Sequence, residues 1–307
     1  MIRYSKTLDD LPLTLDNLKD KITALTAASK PNSDPWFVRA KAVIDGLSDE
    51  PKSSDFTGLW SEVKDLYIEL QHSKCVFCEQ PLEGRITQDV EHFRPKAAVA
   101  HWEPPQDLID AGIVVAQPDD GSAELGYRFL AYHPLNYAAA CKVCNSIFKG
   151  NLFPVAKKRK TEAKKPPAGG SELPYLIYPI GDDADDPEKL IEFVGCVPQP
   201  AKPPGHDRFR AQVTINIFKL DDASERRVFY EGRARAISAM FLNLDAIDNR
   251  NDAAIVNAAK TNVKRMLEDK EPFANCLRCF HRLYQQSPAE AKQKFLDAST
   301  FLDTVSP

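Results

Sequence analysis

The length, composition and charge of the chain exclude several classes of protein. Its 307 residues are 43% hydrophobic and 27% charged, which is enough to bury a core in one large or two modest domains. The formal net charge of −4 argues against a uniformly basic, histone-like surface, so any contact with a polyanion must come from a local patch. No stretch approaches the roughly 20 apolar residues of a membrane span, and the N-terminal MIRYSKTLDDLPL lacks the apolar run of a secretory signal. We therefore expect no membrane association and a cytoplasmic location.

The first half of the chain divides into two segments by pattern. Residues 1–70 place apolar side chains at helical spacing, as at Leu59, Val63 and Leu66, and are predicted to form a helical N-terminal region. Residues 71–155 are interrupted repeatedly by proline and glycine, which leaves no room for a long helix or strand. This second segment is expected to need a staple that holds it together.

The second half is predicted to begin with a linker and a small sheet and to end in helices. Residues 156–171 have the composition of an exposed linker or basic loop. Three β-like runs follow, at 175–180, 190–194 and 212–218. We assign 156–220 to the linker and small β region, and 221–307 to a helical C-terminal region with an apolar stripe.

Two CxxC pairs are the strongest signal in the sequence. Cys75 and Cys78 form the first pair and Cys141 and Cys144 the second, and each pair is typical of the knuckle that supplies half of a tetrahedral four-cysteine zinc site. An odd total of seven cysteines and the lack of a signal sequence fit metal binding better than a disulfide framework. The alternative, four small buried cysteines, leaves the paired spacing unexplained. Four thiolates leave no open coordination position, so this zinc is predicted to support folding and do no chemistry.

The three remaining cysteines are predicted to pack in the core. Cys276 and Cys279 lie in a helical context, where an i, i+3 spacing is also what one buried helix face would give. His281 is the one potential ligand near them, so core packing is favoured over a second metal site, which stays open as the alternative. Cys196 is also interpreted as a packed residue.

A polar motif lies between the two knuckles. The sequence DVEHFRPK occupies positions 89–96, and the second knuckle continues directly from Cys144 into Asn145. Together with Asn136 in HPLNY, these residues resemble the HNH (ββα-metal) endonuclease superfamily, in which two strands and a helix surround one divalent cation and a zinc often pins strand to helix. The motif order is similar in particular to the HNH proteins of retron and Septu-type anti-phage systems, which combine EHFRPK, a later CxxCN and a downstream Phe-Pro, here beginning at Phe153. The resemblance covers residues 75–155 well and continues more faintly beyond them.

The resemblance implies an α+β fold and a set of catalytic roles. We expect a zinc-stapled ββα-metal (HNH) core, a helical N-terminal lead-in and a mostly helical C-terminal region. A histidine is a suitable general base at neutral pH, and His92 is assigned that role. Hard oxygen ligands suit Mg²⁺ or Mn²⁺, which the family places between Glu91 and Asn145, with Asp89 as a rival ligand. Asn136 matches the position that braces the loop carrying the base.

Basic side chains near the motif are predicted to contact nucleic acid. Arg94, Lys96, Lys142 and Lys149 surround the proposed site in sequence, and the run KKRK at 157–160 follows it, with an ordinary solvated loop as the alternative for that run. DNA is favoured as the substrate and RNA remains possible. Nothing resembles a base-reading helix or an aromatic RNA-binding sheet, so no sequence specificity is predicted.

The remaining expectations concern a partner and the rival functions. The Septu and retron resemblance implies that the helices of the C-terminal region dock on a regulatory ABC-type ATPase. The main alternative function is a noncatalytic zinc-stabilised subunit that binds nucleic acid or protein in a defence complex, with a decayed HNH site as a variant of it. Zinc hydrolase chemistry is disfavoured because four thiolates leave no site for water. His133 is predicted to pack or contact substrate, and His101, beside Trp102, to be structural or exposed.

Overall fold

The computed structural model describes residues 1–7, 9–82, 88–166, 169–181 and 184–305. These residues form two compact units. The first unit comprises Arg3–Val76 and Leu82–Asp185, and the second comprises Met1–Ile2, Phe77–Pro81 and Asp186–Pro307. The predicted division into four segments stays a prediction, and its 156–220 segment contributes to both units.

The first unit begins with the helices that the apolar spacing predicts. Its α-helices are α1 (Leu15–Ser29), α2 (Trp36–Asp45) and α3 (Lys64–Leu70), with short 3-10 helices at Ser53–Asp55 and Leu59–Val63. The hydroxyl oxygen of Thr14 accepts a hydrogen bond from the backbone N–H of Asn17 at 3.1 Å, which satisfies one of the unpaired donors at the start of α1. The predicted helical lead-in is confirmed.

Two antiparallel strands form the centre of the first unit. Strand β1 (Gln88–His92) pairs with β4 (Tyr137–Cys141), and in this register His92 lies opposite Tyr137 and Gln88 opposite Cys141. A π-helix at Val143–Lys149 follows β4 directly. The smaller elements of this unit are β2 (Ala98–Val99) paired with β3 (Glu124–Leu125), α4 (Gln106–Asp110), 3-10 helices at Arg128–Leu130 and Pro134–Asn136, and α5 (Gly169–Glu172).

The second unit is mainly helical. A hairpin of β5 (Ile191–Val194) and β6 (Val197–Pro200) turns at Gly195, whose φ of 59° lies in the left-handed region that favours glycine. A 3-10 helix at Pro187–Lys189 precedes it, and the α-helices are α6 (His206–Ile217), α7 (Arg227–Asn249), α8 (Ala253–Met266), α9 (Ala274–Gln286) and α10 (Pro288–Val305). Stacked rings of Phe241 and Phe295, 4.3 Å apart, join α7 to α10. The predicted helical C-terminal region is confirmed.

The predicted small sheet is only partly correct. The run at 190–194 does contain a strand, β5, but its partner is β6. The run at 212–218 lies in α6 and its end, because Val213, Thr214 and Ile217 are buried together at helical spacing, and this packing overrides the strand preference of β-branched residues. The run at 175–180 makes an isolated bridge from Ile180 to Tyr4 instead of a strand.

The predicted packing of the cysteines in the second unit agrees with their positions. Cys276 and Cys279 are buried in α9, where the thiol of Cys276 contacts the carbonyl oxygen of Gly195 at 3.4 Å. The backbone N–H of Phe193 donates to the sulfur of Cys279 at 3.4 Å. Within the described ranges, no helix combines the length and apolar character needed to cross a membrane.

Candidate functional site

The structure brings the two cysteine knuckles together. Sulfur atoms of Cys75, Cys78, Cys141 and Cys144 all lie within 4.8 Å of one another, and three of the four side chains are buried. Zinc–sulfur bonds of about 2.3 Å would place the corners of a thiolate tetrahedron about 4 Å apart, so the four sulfurs fit a zinc ion. The predicted four-cysteine site is confirmed as a cluster that could hold zinc.

Backbone hydrogen bonds connect the first knuckle to β4. The N–H of Val76 donates to the carbonyl oxygen of Ala139 at 3.1 Å. The buried amide of Gln71 holds the same strand residue, since it donates to the oxygen of Ala139 and accepts from its N–H, both at 2.7 Å. The start of the first knuckle is therefore fixed to the strand that ends at Cys141.

Asn136 joins the chain just before β4 to the loop that follows β1. Its side-chain oxygen accepts from the N–H of Arg94 at 2.8 Å, and its side-chain amide donates to the carbonyl oxygens of Arg94 and Leu130 at 3.0 Å each. The side chain is fully buried. These contacts fix the loop that follows His92, and the HNH role of Asn136 remains a prediction.

His92, the predicted base, lies at the end of β1 with a defined tautomer. Its Nε2 atom is 3.0 Å from the carbonyl oxygen of Ala131, which can only accept, so Nε2 carries the proton and Nδ1 keeps its lone pair. The rings of Trp60 and Tyr137 meet the imidazole edge-on at centroid distances of 4.8 and 5.1 Å. Burial, with the positive charge of Lys96 as a smaller cause, lowers the pKa of His92 to about 3, so the ring is neutral at neutral pH.

The two candidate carboxylates occupy different surroundings. Asp89 is exposed, and its carboxylate accepts a hydrogen bond from the side-chain amide of Asn145 at 3.2 Å. Glu91 is buried and forms an ion pair with the buried ammonium of Lys149. Burial raises the pKa of Glu91, and the charge of Lys149 opposes that effect. The structure thus joins Asn145 to the rival ligand Asp89 and pairs the favoured ligand Glu91 with a lysine.

A cleft of about 310 Å³ in the first unit collects the predicted residues. Asp89, Glu91, His92 and Asn145 all line it. The acidic oxygens and amide beside it are the hard donors that Mg²⁺ or Mn²⁺ prefers, and Mg²⁺ usually takes only one or two carboxylates from the protein and keeps several waters. The donor types that line the cleft therefore suit a hard divalent cation.

The N-terminal helices supply cleft residues that the sequence analysis did not single out. Trp60, Ser61 and Lys64 line the same opening. The ammonium of Lys96 lies 4.7 Å from the ring centroid of Trp60, within cation–π range. Trp60 and Lys64 are far from the motif at 89–96 in sequence, so the sequence carried no local signal for this wall of the site.

Two of the four residues predicted to contact phosphate are buried in this structure. Arg94 is buried and ion-paired with buried Glu172 at 2.8 Å, and it lies against aromatic rings. Lys149 is buried against Glu91. Both cations compensate interior carboxylates, because a buried charge is costly unless it is paired. Lys142 is exposed and Lys96 lines the cleft, so these two remain accessible.

His133 and His101, the two histidines for which structural or substrate roles were predicted, have structural partners. The Nδ1 atom of His133 accepts from the N–H of Leu135 at 3.2 Å and caps the short helix Pro134–Asn136, and burial lowers the pKa of His133 to about 4. His101 lies 3.2 Å from the side-chain amide nitrogen of Gln117. Neither residue lines the cleft that contains His92.

Comparison with known proteins gives one partial similarity. The chain is 29% identical over 131 residues to the Septu protein PtuB of Bacillus mycoides (strain KBAB4), which is 43% of this chain and 38% of that protein. The matched part thus spans well under half of the length of that relative. No family model and no solved structure matches the chain. The similarity supports a Septu-type family.

Proposed function

We propose that this protein is a metal-dependent HNH endonuclease that hydrolyses phosphodiester bonds of nucleic acid, with DNA as the favoured substrate, in an anti-phage defence system. The observation that carries the proposal is the cleft in which neutral His92 lies together with the hydrogen-bonded pair Asp89 and Asn145. The two antiparallel strands followed by a helix at Val143–Lys149 support the same assignment. Similarity to a Septu protein supports the defence role.

His92 is proposed as the general base. Hydrogen bonding of Nε2 to Ala131 leaves the lone pair of Nδ1 available to take a proton from the attacking water. The imidazole is neutral, as a base must be, and the edge contacts of Trp60 and Tyr137 restrict its rotation. A positioned base of this kind contributes roughly 10²- to 10⁴-fold to the rate.

Asp89 and Asn145 are proposed as the residues that hold the catalytic metal. Mg²⁺ or Mn²⁺, when bound, would neutralise the charge that develops on the phosphate and the leaving oxygen. Glu91 remains a candidate ligand, but its carboxylate must first separate from Lys149. The four-cysteine cluster is proposed as a structural zinc site, since it offers no open coordination position.

A regulatory partner completes the proposal. The C-terminal helices are proposed to dock on an ATPase that controls cleavage, as the Septu and retron resemblance implies. Co-purification from the native host tests this part. A chain that is monomeric, free of partners and fully active contradicts it.

The second candidate is a noncatalytic zinc-stabilised subunit of a defence complex that binds nucleic acid or protein. One observation favours it: the glutamate of the EHFRPK motif is buried and engaged by Lys149, so it is not presented to the cleft as a vacant ligand. Under this alternative, the knuckles and the braced loop are a binding scaffold, and substitution of His92 has no effect on any reaction.

Cleavage assays with a matched histidine control separate the two candidates. Purified protein is incubated with plasmid DNA and with RNA, each with Mg²⁺, with Mn²⁺ or without added divalent cation, and its zinc content is measured. We expect nicking that needs the cation and falls at least about 100-fold in His92→Ala, with zinc content unchanged. His281→Ala, in α9 of the other unit, is expected to cut normally. Equal cutting by His92→Ala and the unmutated chain would remove His92 from its role.

A further inference from the structure

The segment at 156–166 is anchored to the interior of the first unit. The guanidinium of Arg159 donates to the carbonyl oxygens of Ala116 and Phe153 at 3.0 and 3.1 Å. Buried Glu172 accepts from the N–H of Lys160 at 3.2 Å. The backbone carbonyl oxygen of Glu172 accepts from the N–H of Lys157 at 3.0 Å. The expectation of an ordinary solvated loop is therefore incomplete, because the backbone of this segment has fixed partners.

The exposed side of this anchored segment is strongly basic. Its exposed lysines are Lys157, Lys158, Lys160, Lys164 and Lys165, which we call the lysine platform. Within the part of the chain that the structure describes, none of these ammonium groups forms an ion pair with a carboxylate. Glu162, the acidic residue inside the segment, is 3.3 Å from Arg128. The platform therefore keeps its positive charge available for a ligand.

The shape of the platform also suits a strand. An open depression of about 660 Å³ is lined by Lys160, Lys164 and Lys165 together with Glu162, Ala163, Pro166 and Ser171. The ammonium of Lys164 lies 5.7 Å from the ring centroid of Phe129, so an aromatic side chain accompanies the charges. Grooves that track a nucleic-acid backbone combine positive charge with aromatic side chains in this way.

The start of the platform is close enough to the cleft for both to contact the same strand. Asn151 lines the cleft, and Lys157 follows it by six residues. Six residues span at most about 21 Å between Cα atoms, even when fully extended. A nucleic-acid strand advances about 3.4 Å per nucleotide, so Lys157, where the platform begins, lies within about six nucleotides of the cleft wall at Asn151.

We propose that the lysine platform is a second contact surface for the nucleic-acid substrate, which holds the backbone of the strand beside the cleft. This inference rests on the proposed nuclease function and extends it. It also accounts for the burial of Arg94 and Lys149, since the cations within the motif stabilise the interior while the platform supplies the phosphate contacts. Since lysines contact phosphates as point charges, the surface is not specific for sequence.

Binding measured without cleavage tests the platform separately from the nuclease activity. The probe is a fluorescein-labelled single-stranded oligonucleotide, titrated with the full chain in the His92→Ala background without added divalent cation, at several salt concentrations. The test variant changes Lys157, Lys158, Lys164 and Lys165 to glutamine. The control variant makes the same change at Lys52, Lys260, Lys264 and Lys292, which are exposed and unpaired lysines elsewhere in the described chain. Both variants have the same net charge, so the comparison isolates position.

We expect the test variant to bind the probe at least about 10-fold more weakly. The slope of log affinity against log salt concentration should become shallower by about 2 to 3, because each of the four lost phosphate contacts contributes about 0.7. The control variant is expected to retain both values. Zinc content and thermal unfolding show that each variant is folded, since exposed substitutions usually change stability by about 0.5 kcal/mol or less.

Three outcomes would overturn the platform. The first is equal affinity and salt slope in the test variant and its His92→Ala parent, and the second is no binding of the probe by that parent at low salt. The third is that the test substitutions abolish binding of polyglutamate but leave oligonucleotide binding intact, which would assign the surface to an acidic protein. Failure of the nuclease proposal has a different signature, because cutting would be absent while the platform still bound the probe.

Discussion

Asn136 holds the backbone of Arg94 from both sides: its side-chain oxygen accepts from the N–H of Arg94 and its side-chain amide donates to the carbonyl oxygen of Arg94. The two residues are 42 positions apart, so this pairing closes the loop between β1 and β4. The backbone that leaves His92 is therefore fixed by one buried amide. This relationship allows a direct test of the brace.

Asn136→Ala is expected to destabilise the protein by about 2 to 4 kcal/mol, because it leaves the buried N–H and carbonyl oxygen of Arg94 without the hydrogen bonds that Asn136 provides. Chemical denaturation with a two-state fit measures the change. Asn32→Ala, at an exposed turn, is the control and should lie within about 0.5 kcal/mol of the unmutated chain. A similar small effect at Asn136 would show that the brace is dispensable.

Replacing a cysteine of the cluster is expected to remove the zinc and the fold that depends on it. Cys144→Ser should reduce bound zinc from about one ion per chain to nearly none and abolish a cooperative thermal transition, because binding energy of a structural zinc is folding energy. Cys196 lies outside the cluster, so the Cys196→Ser variant should bind as much zinc as the unmutated chain. Elemental analysis together with circular dichroism measures both effects. A Cys144→Ser chain that unfolds at the same temperature as the unmutated chain would contradict the structural role.

Two carboxamide substitutions distinguish the candidate metal ligands. Under the proposed function, Asp89→Asn is expected to raise the Mn²⁺ concentration needed for half-maximal cutting by about 10-fold or more, since Asp89 is exposed beside Asn145. Glu91→Gln is expected to lower stability by about 3 kcal/mol, because it leaves Lys149 buried without its counterion. Cutting and denaturation are measured on both variants. The assignment is reversed if Glu91→Gln changes the metal requirement and Asp89→Asn does not.

The ion pair between Glu62 and Arg39 gives a pH dependence with a defined sign. Hydrogen bonding to Arg39 lowers the pKa of Glu62 from an ordinary value of 4.5 to about 2. Because the folded-state pKa is the lower one, the stabilisation is fully present above pH 4.5 and is lost as the pH falls towards 2. Glu62→Gln is expected to cost about 1 to 3 kcal/mol at pH 7, and the difference should shrink in acid.

Denaturation midpoints of Glu62→Gln between neutral pH and acid measure this effect. Exposed Glu50, changed to glutamine, is the matched control and should show the same pH profile as the unmutated chain. A cost at Glu62 that stays constant down to acid would show that packing, and not the ion pair, is responsible. Because Glu62 lies between cleft residues Ser61 and Lys64, the measurement also reports on how firmly that wall is held.

Features that a short stretch of sequence encodes could be predicted, and features that depend on distant partners could not. The knuckles at Cys75 and Cys141 were recognisable because the spacing of each pair already carries half of the metal geometry. By contrast, Arg94 has its counterion 78 residues away at Glu172, so nothing near the motif indicated that it would be buried. For the same reason the cleft wall formed by Trp60 was missed.

The strands show the same limit. At 212–218 the alternating β-branched residues predicted a strand, but the buried side chains of α6 follow the helical period, and only the rest of the second unit decides which pattern is used. The catalytic roles of His92, Glu91 and Asn145 remain predictions. Their shared position along one cleft is the structural support for those roles.

The register of β1 with β4 connects the cysteine cluster to both sides of the cleft. Asn145 directly follows Cys144, and Asp89 comes one position after Gln88, which pairs with Cys141. Loss of the sulfur-bound ion would therefore release the carboxylate and the amide at the same moment. Under the proposed function, a newly synthesised chain would therefore bring Asp89 and Asn145 together only when zinc binds to the four cysteines.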